Sequence, residues 1–344
     1  MTRRCNGPGR APSSGRRLPN ASRASRPMDR HRACAPGMCV KTRPLRRADV
    51  APPGEALSLA HAERIAPLLA QRIAGLGEQA MADLSFGNLW LFRRAHHYRF
   101  VDGQWPVIHG QTYDGQHHVI ALFALADVPD AVLQDLLPHT ACFFPLGERE
   151  ARALDPARFA INSARDDADY LYRADTFRDY AGAGLHNKRN LLKQCLATHR
   201  LTHAVYAPQW QGTARAVLRE WLQDKGKQGG DADDLPCQEA LAHADALGLH
   251  GLVTWADGEP AGFVLAEQLQ PGVCVMRFAK GLARFKGISQ ALFQQFASQY
   301  EAQFGRPLHW LNFEQDMGLP NFRRTKLSYQ PQALLPKYRV SLRG

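Results

Sequence analysis

Three apolar runs in the second half constrain the fold of this 344-residue chain more than any other feature. His250–Trp255, Ala261–Glu267 and Val273–Ala279 each have strand length. Asp257-Gly258 and Pro271-Gly272 separate them, and both dipeptides favour tight reversals, so the spacing predicts an antiparallel meander. A glycine-led helix follows from Gly287 to Phe304, with Ile288, Leu292, Phe296, Tyr300 and Phe304 at i+4 steps. Then comes a strand, Leu308–Asn312. Helices are expected before the meander at Leu185–Ala197, Gln209–Gln223 and Gln238–Leu247. After it, a short helical turn is expected at Leu319–Arg324, with extended chain over Lys326–Tyr329 and Leu334–Val340.

The first half shows a second, weaker version of this order. A helix is expected over Leu57–Ala74, with Pro67 arguing for a break or a late start. Another carries Phe86, Leu89, Trp90 and Phe92. Strands follow at Tyr98–Val101, Pro106–Gly110 and His118–Leu125, parted by Asp102-Gly103 and Asp114-Gly115. Pro129–Leu137 reads as helix and Thr140–Phe144 as strand. The expected class is α+β, with two units over 56–175 and 176–344, each a mixed, mostly antiparallel sheet flanked by helices.

Charge separates the head from this body. The formal net charge is +11, and residues 1–50 hold 13 Lys/Arg against only Asp29 and Asp49. The body therefore carries 30 charges of each sign, and bulk charge does not make it a nucleic-acid binder. Residues 1–55 are expected to be a disordered basic tail, being poor in Leu, Ile, Val and Phe. No apolar run approaches the ~18 residues of a membrane-spanning helix. The start lacks a signal-peptide core, and a cytoplasmic protein is expected. The seven cysteines (5, 34, 39, 142, 195, 237 and 274) have neither zinc-finger nor redox-motif spacing and read as reduced thiols. No Walker loop, dinucleotide fingerprint, metal-ligand cluster or Ser-His-Asp order is present.

Strand, glycine-led loop and helix in this order resemble a Gcn5-related N-acetyltransferase (GNAT) unit, whose loop has the pattern Gln/Arg-x-x-Gly-x-Gly/Ala. Here it reads Arg284-x-x-Gly287-x-Ser289, with serine at the last small position. Three stretches narrow the resemblance: Gly184-Leu185-His186-Asn187-Lys188-Arg189-Asn190, Arg284 to Ala291, and Asn312-Phe313-Glu314-Gln315-Asp316-Met317-Gly318-Leu319-Pro320 through Tyr329. Together with Ser85-Phe86-Gly87-Asn88-Leu89-Trp90-Leu91 they resemble the phosphatidylglycerol lysyltransferase C-terminal domain family over roughly residues 60–340. The resemblance implies two tandem GNAT-like units, akin to the Fem aminoacyltransferases, in a soluble stand-alone member without the family's large membrane-embedded region. It also implies transfer of an aminoacyl group from aminoacyl-tRNA. One departure stands out: a glutamate is expected just before the strand lysine, and this sequence has Ala279-Lys280.

Acyl transfer needs a base, an acid, a polarised carbonyl and a site for the donor's anionic handle. Asp316 is the leading candidate carboxylate, on a loop closed by Gly318 and Pro320; the same position suits a helix cap. Glu314 and Glu267 are the weaker candidates, and Glu267 reads equally as a strand terminus. Arg284, Lys286, Gly287 and Ser289 form the donor or anion loop, or simply open a helix. His186, Arg189, Asn190 and Lys193 fall at i, i+3, i+4 and i+7 and offer one basic helix face, either for substrate or for solvent, and Lys188 joins His186, Arg189 and Asn190 in the expected substrate-binding set. Asn312, Arg323 and Lys326 complete the expected substrate-binding set, Arg323 and Lys326 being equally suited to structural ion pairs. The donor is expected to be aminoacyl-tRNA or acyl-CoA, and the acceptor a small molecule or lipid bearing an amine or hydroxyl. An acyl-CoA-dependent N-acetyltransferase and a non-catalytic binding module that senses tRNA remain alternatives.

Overall fold

The computed structural model describes residues 53–137, 141–226 and 233–343. The basic head with Cys5, Cys34 and Cys39 lies outside the described residues, as does Thr140. Cys142, Cys195, Cys237 and Cys274 are buried free thiols.

Two seven-stranded sheets organise the described residues. The first takes β1 (Glu55–Ala56), β2 (Arg99–Val101), β3 (Val107–Gln111), β4 (His117–Ala121), β5 (Cys142–Leu146) and β6 (Phe159–Ser163). The second takes β7 (Asp169–Arg173), β8 (Leu201–Val205), β9 (Leu249–Ala256), β10 (Glu259–Gln270), β11 (Gly272–Gly281), β12 (Leu308–Asn312) and β13 (Ala333–Leu335). The last strand, β14 (Tyr338–Leu342), returns to the first sheet and lies between β5 and β6. The helices are α1 (Ala62–Arg72), α2 (Phe86–Phe92), α3 (Asp130–Leu136), α4 (Glu148–Arg152), α5 (Asp175–Asp179), α6 (His186–Thr198), α7 (Gln211–Asp224), α8 (Asp234–Ala242), α9 (Ile288–Phe304) and α10 (Pro320–Leu327).

Both sheets share one plan. An antiparallel meander, β2-β3-β4 or β9-β10-β11, is followed by a strand parallel to its last member, β5 or β12. Each parallel pair is short. β4 pairs with β5 only at His118–Cys142 and Val119–Phe143. β11 pairs with β12 only from Gly272 to Val275, although β11 continues to Gly281. Past these points the strands part, so each sheet carries a fork. The hairpin at Asp257-Gly258 has positive φ at both residues, the type I′ geometry that suits the twist of its strands. Apolar faces of β9–β11 pack under α7 and α9, burying Phe263, Phe278, Phe296 and Tyr300.

Several expectations need correction. α1 starts late, at Ala62, as one of the two alternatives had it, but then runs through Pro67 without a break. Proline leaves the carbonyl of Glu63 without its helical partner, but both residues are exposed, so water can satisfy it. Lys326–Tyr329 is the end of α10 and a turn rather than extended chain. Glu55 is not part of a tail, since it pairs with Phe100. Strands β6, β7 and β8 have no clear sequence signal. The sheets also disregard a division at residue 175: β7 precedes it yet joins the second sheet, and β14 follows it yet joins the first.

Candidate active site at the fork of the second sheet

Arg277 is the centre of the site, and a β-bulge places it there. Leu265 faces Phe278 and Ala266 faces Met276, so Arg277 is the extra residue on β11. Such a bulge re-aims a side chain. The guanidinium is wholly buried, and all its nitrogens are engaged. Nε and Nη2 donate to Glu267 Oε2 at 3.0 and 2.8 Å. Nη1 donates to Glu314 Oε1 at 2.6 Å and to Asn88 Oδ1 at 3.0 Å. Nη2 also reaches Ser85 Oγ and the Ala82 carbonyl. Arg277 thus crosses the fork to Glu314, two residues past β12, and joins the second sheet to the start of α2. Ser85 caps α2 through the Asn88 amide and donates its hydroxyl to Glu267. Gly87 is needed here: a Cβ would lie 2.8 Å from Glu267 Oε2.

The chain beyond β12 is held by its own side chains. Asn312 Oδ1 accepts the Glu314 amide at 2.7 Å, a local turn that accommodates the φ of +57° at Glu314. Lys326 on α10 donates to the carbonyls of Glu314 and Gln315. Asn312 Nδ2 donates to Asp169 on β7, which also accepts the Ala82 amide. Lys337, buried just before β14, pairs with Asp169 at 2.7 Å and with Asp83, and donates to Gln315 Oε1.

Asp316 is fully buried and saturated. Its oxygens accept from Tyr170 (2.5 Å), from Arg323 Nε and Nη2 (2.8 and 2.9 Å), from the Gly318 amide (2.9 Å) and from Arg165 (3.3 Å). A carboxylate offers about four lone-pair sites, so none is left for a substrate ammonium. Burial opposes its charge, but the bonds from Arg323, Tyr170 and Gly318 hold its carboxyl well below the usual range. A group so acidic is a poor proton acceptor at neutral pH. Asp316 therefore positions the loop, and the expectation that it contacts substrate does not fit its geometry. Arg323, the partner of Asp316 and of Asp166, is likewise an ion-pair residue.

Glu314 has the opposite character. Its side chain keeps 24% of its surface. Burial pushes its carboxyl up despite the neighbouring Arg277 and Lys326. Burial also lowers the Lys326 ammonium to about 8. Glu267 is nearly enclosed. It faces a cavity of about 250 Å3 with apolar walls that include Leu69, Ile73, Leu84 and Leu247.

The remaining expected residues lie elsewhere. On α6, Arg189 donates to the carbonyls of Tyr180 and Gly182. Lys188 stacks on the Tyr329 ring at 3.9 Å, and His186 pairs with Asn190. Arg284 is committed to Glu220 and Glu259, so its guanidinium is not a free anion ligand. Gly287 has φ +88°, and a Cβ there would lie 2.1 Å from the Leu191 carbonyl oxygen of α6. It serves close packing as well as opening α9. Lys286 and Ser289 are exposed. Lys280 is buried against Asp233 and the Trp221 ring. The sequence reading missed Arg277, Tyr170, Asp169 and Lys337. Arg277 had a visible signal, a charge in the middle of the apolar run Val273–Ala279, where burial demands a partner.

A model of the phosphatidylglycerol lysyltransferase C-terminal family matches residues 75–341, and the chain belongs to that family. No curated protein matches. Among solved structures, a conserved protein of unknown function from Bacteroides thetaiotaomicron superposes with a TM-score of 0.67 at 22% identity, covering 85% of this chain and 99% of that one. L-PGS from Bacillus licheniformis has a TM-score of 0.50 at 16% identity, over 83% of this chain and 92% of that one. FemX has 0.52 at 6% identity, over 83% and 96%. Identities this low speak for the fold, which is two GNAT-like mixed sheets in tandem, as the resemblance implied. Among the described residues no helix is long and apolar enough to cross a membrane.

Proposed function

We propose that this protein is an acyltransferase that moves an aminoacyl or acyl group to an amine or hydroxyl acceptor at the fork between β11 and β12. One observation carries the reading: Glu314, partly exposed and raised in pKa, stands at the fork and is braced by the buried Arg277. A carboxylate whose pKa is raised is a stronger base, suited to take a proton from the attacking amine or hydroxyl as it reaches the donor carbonyl. It then returns the proton to the leaving group. Arg277 fixes the carboxylate, and Lys326 and Asn312 fix the backbone that carries it.

Aminoacyl-tRNA is the favoured donor. A thioester such as acyl-CoA is the second reading, supported by the exposed Lys286 and Ser289 and opposed by the pairing of Arg284. We place the reaction in the cytoplasm, where charged tRNA is found and where the free thiols of this chain would stay reduced.

The test supplies labelled aminoacyl-tRNA or labelled acyl-CoA together with amine, hydroxyl and phospholipid acceptors. Transfer from one donor is expected. Glu314→Gln should lower turnover roughly 100-fold or more, in line with loss of a general base, while the protein stays folded. No transfer from either donor leaves a binding module. Full activity of Glu314→Gln would move the chemistry to another residue.

A further inference from the structure

The first sheet has a fork of its own, and a cavity opens beside it. Past Val119 and Phe143, β4 and β5 part. Arg72 of α1 spans the gap: Nη1 donates to the Ala121 carbonyl of β4 at 2.7 Å, and Nη2 to the Pro145 carbonyl of β5 at 2.8 Å. Glu150 of α4 holds the same guanidinium through two bonds of 2.7 and 3.1 Å. Just outside the carboxyl ends of the two strands lies a cavity of about 600 Å3. Leu68, Leu122, Phe123, Leu125, Leu146 and Leu154 supply its apolar wall. None of these residues belongs to the site at the second fork.

We propose that this cavity is a second ligand site, for a small amphiphile with an apolar chain and an anionic end. Its volume falls within the range of about 300–1,000 Å3 typical of small-molecule pockets. It also lies beyond the carboxyl ends of parallel strands, where open sheets bind ligands. The polar groups in the wall favour an apolar body: Arg72 and Glu150 neutralise each other, so the interior holds no uncompensated charge from this pair. The rim selects the sign of the head. Of the two arginines lining the cavity there, Arg64 is paired with Asp102. Arg149 is exposed and makes no ion pair with any described residue. It is the cation available to an entering carboxylate, sulfate or phosphate ester.

Calorimetry on the full chain tests this with laurate, dodecyltrimethylammonium and inorganic phosphate as probes. Laurate should bind at one site, at least tenfold more tightly than either of the others. Arg149→Glu should weaken laurate at least tenfold. Ala153→Trp, which fills the cavity from an exposed position on its lining, should abolish binding with the melting temperature unchanged. If that variant fails to fold, Ala124→Phe takes its place. Equal binding of the two amphiphiles, phosphate binding as tight as laurate, or unchanged laurate binding in both variants would overturn the proposal.

Discussion

Asp316 and Glu314 are two residues apart, and their surroundings give them opposite chemistry. Five donors surround Asp316, and its carboxyl is driven down; Glu314 has one strong cation and a partly dry setting, and its carboxyl is driven up. Asp316→Asn should therefore act on stability first. Charged hydrogen bonds of this kind contribute about 1.5–3 kcal/mol, and a loss of that size is expected in urea unfolding at neutral pH. The sign with pH follows from the depressed folded pKa. The contribution is fully present above the unfolded value of about 3.9 and fades as pH falls below it towards the folded value. The gap between wild type and variant should thus narrow under acid. A gap that persists unchanged at pH 2 would mean that charge is not what Asp316 contributes.

At the scale of elements, the start of α9 shows how one position serves packing and turn geometry together. Gly287 combines a left-handed φ with contact on the α6 backbone. The left-handed conformation costs an L-residue about 1–2 kcal/mol, and overpacking typically adds about 1–3 kcal/mol. Gly287→Ala should accordingly lower the thermal midpoint by several degrees. A larger side chain here, such as glutamate, would damage the fold before it tested any anion site. If Gly287→Ala melts with wild type, α6 must shift freely, and the close packing is not a constraint. The bulge at Arg277 belongs to the same scale. It re-aims one charge, which crosses the fork between β11 and β12 to reach Glu314.

The whole molecule is tied together by strands that change sheets. β7 lies between β12 and β13, while β14 closes the first sheet between β5 and β6. Lys337, on the crossing from β13 to β14, is buried among Asp83, Asp169 and Gln315. Removing residues 336–344 would leave β5 and β6 without their shared partner and Asp169 without its cation. Breaking a buried pair in this way typically costs about 3–5 kcal/mol. The truncated chain should lose its cooperative unfolding transition throughout, as followed by circular dichroism and by proteolysis of both halves. A truncated protein whose second half still unfolds sharply would show that the halves are independent.

The sequence by itself determined the elements whose signal is local. Asp257-Gly258 and Pro271-Gly272 set the meander, the i+4 apolar steps set α9, and Asn312–Pro320 marked the loop on which the candidate site is built. Turn dihedrals and helical periodicity are properties of short segments, so they are legible there. The tertiary structure alone decided the sheet membership of β7 and β14, because each pairs with strands distant in sequence. It also decided which carboxylate keeps exposed surface. The sequence ranks Asp316 above Glu314, and the arrival of Tyr170, Arg323 and Arg277 from other elements reverses that order. A pKa is set by burial and by neighbouring charges in space, and the linear chain does not record either.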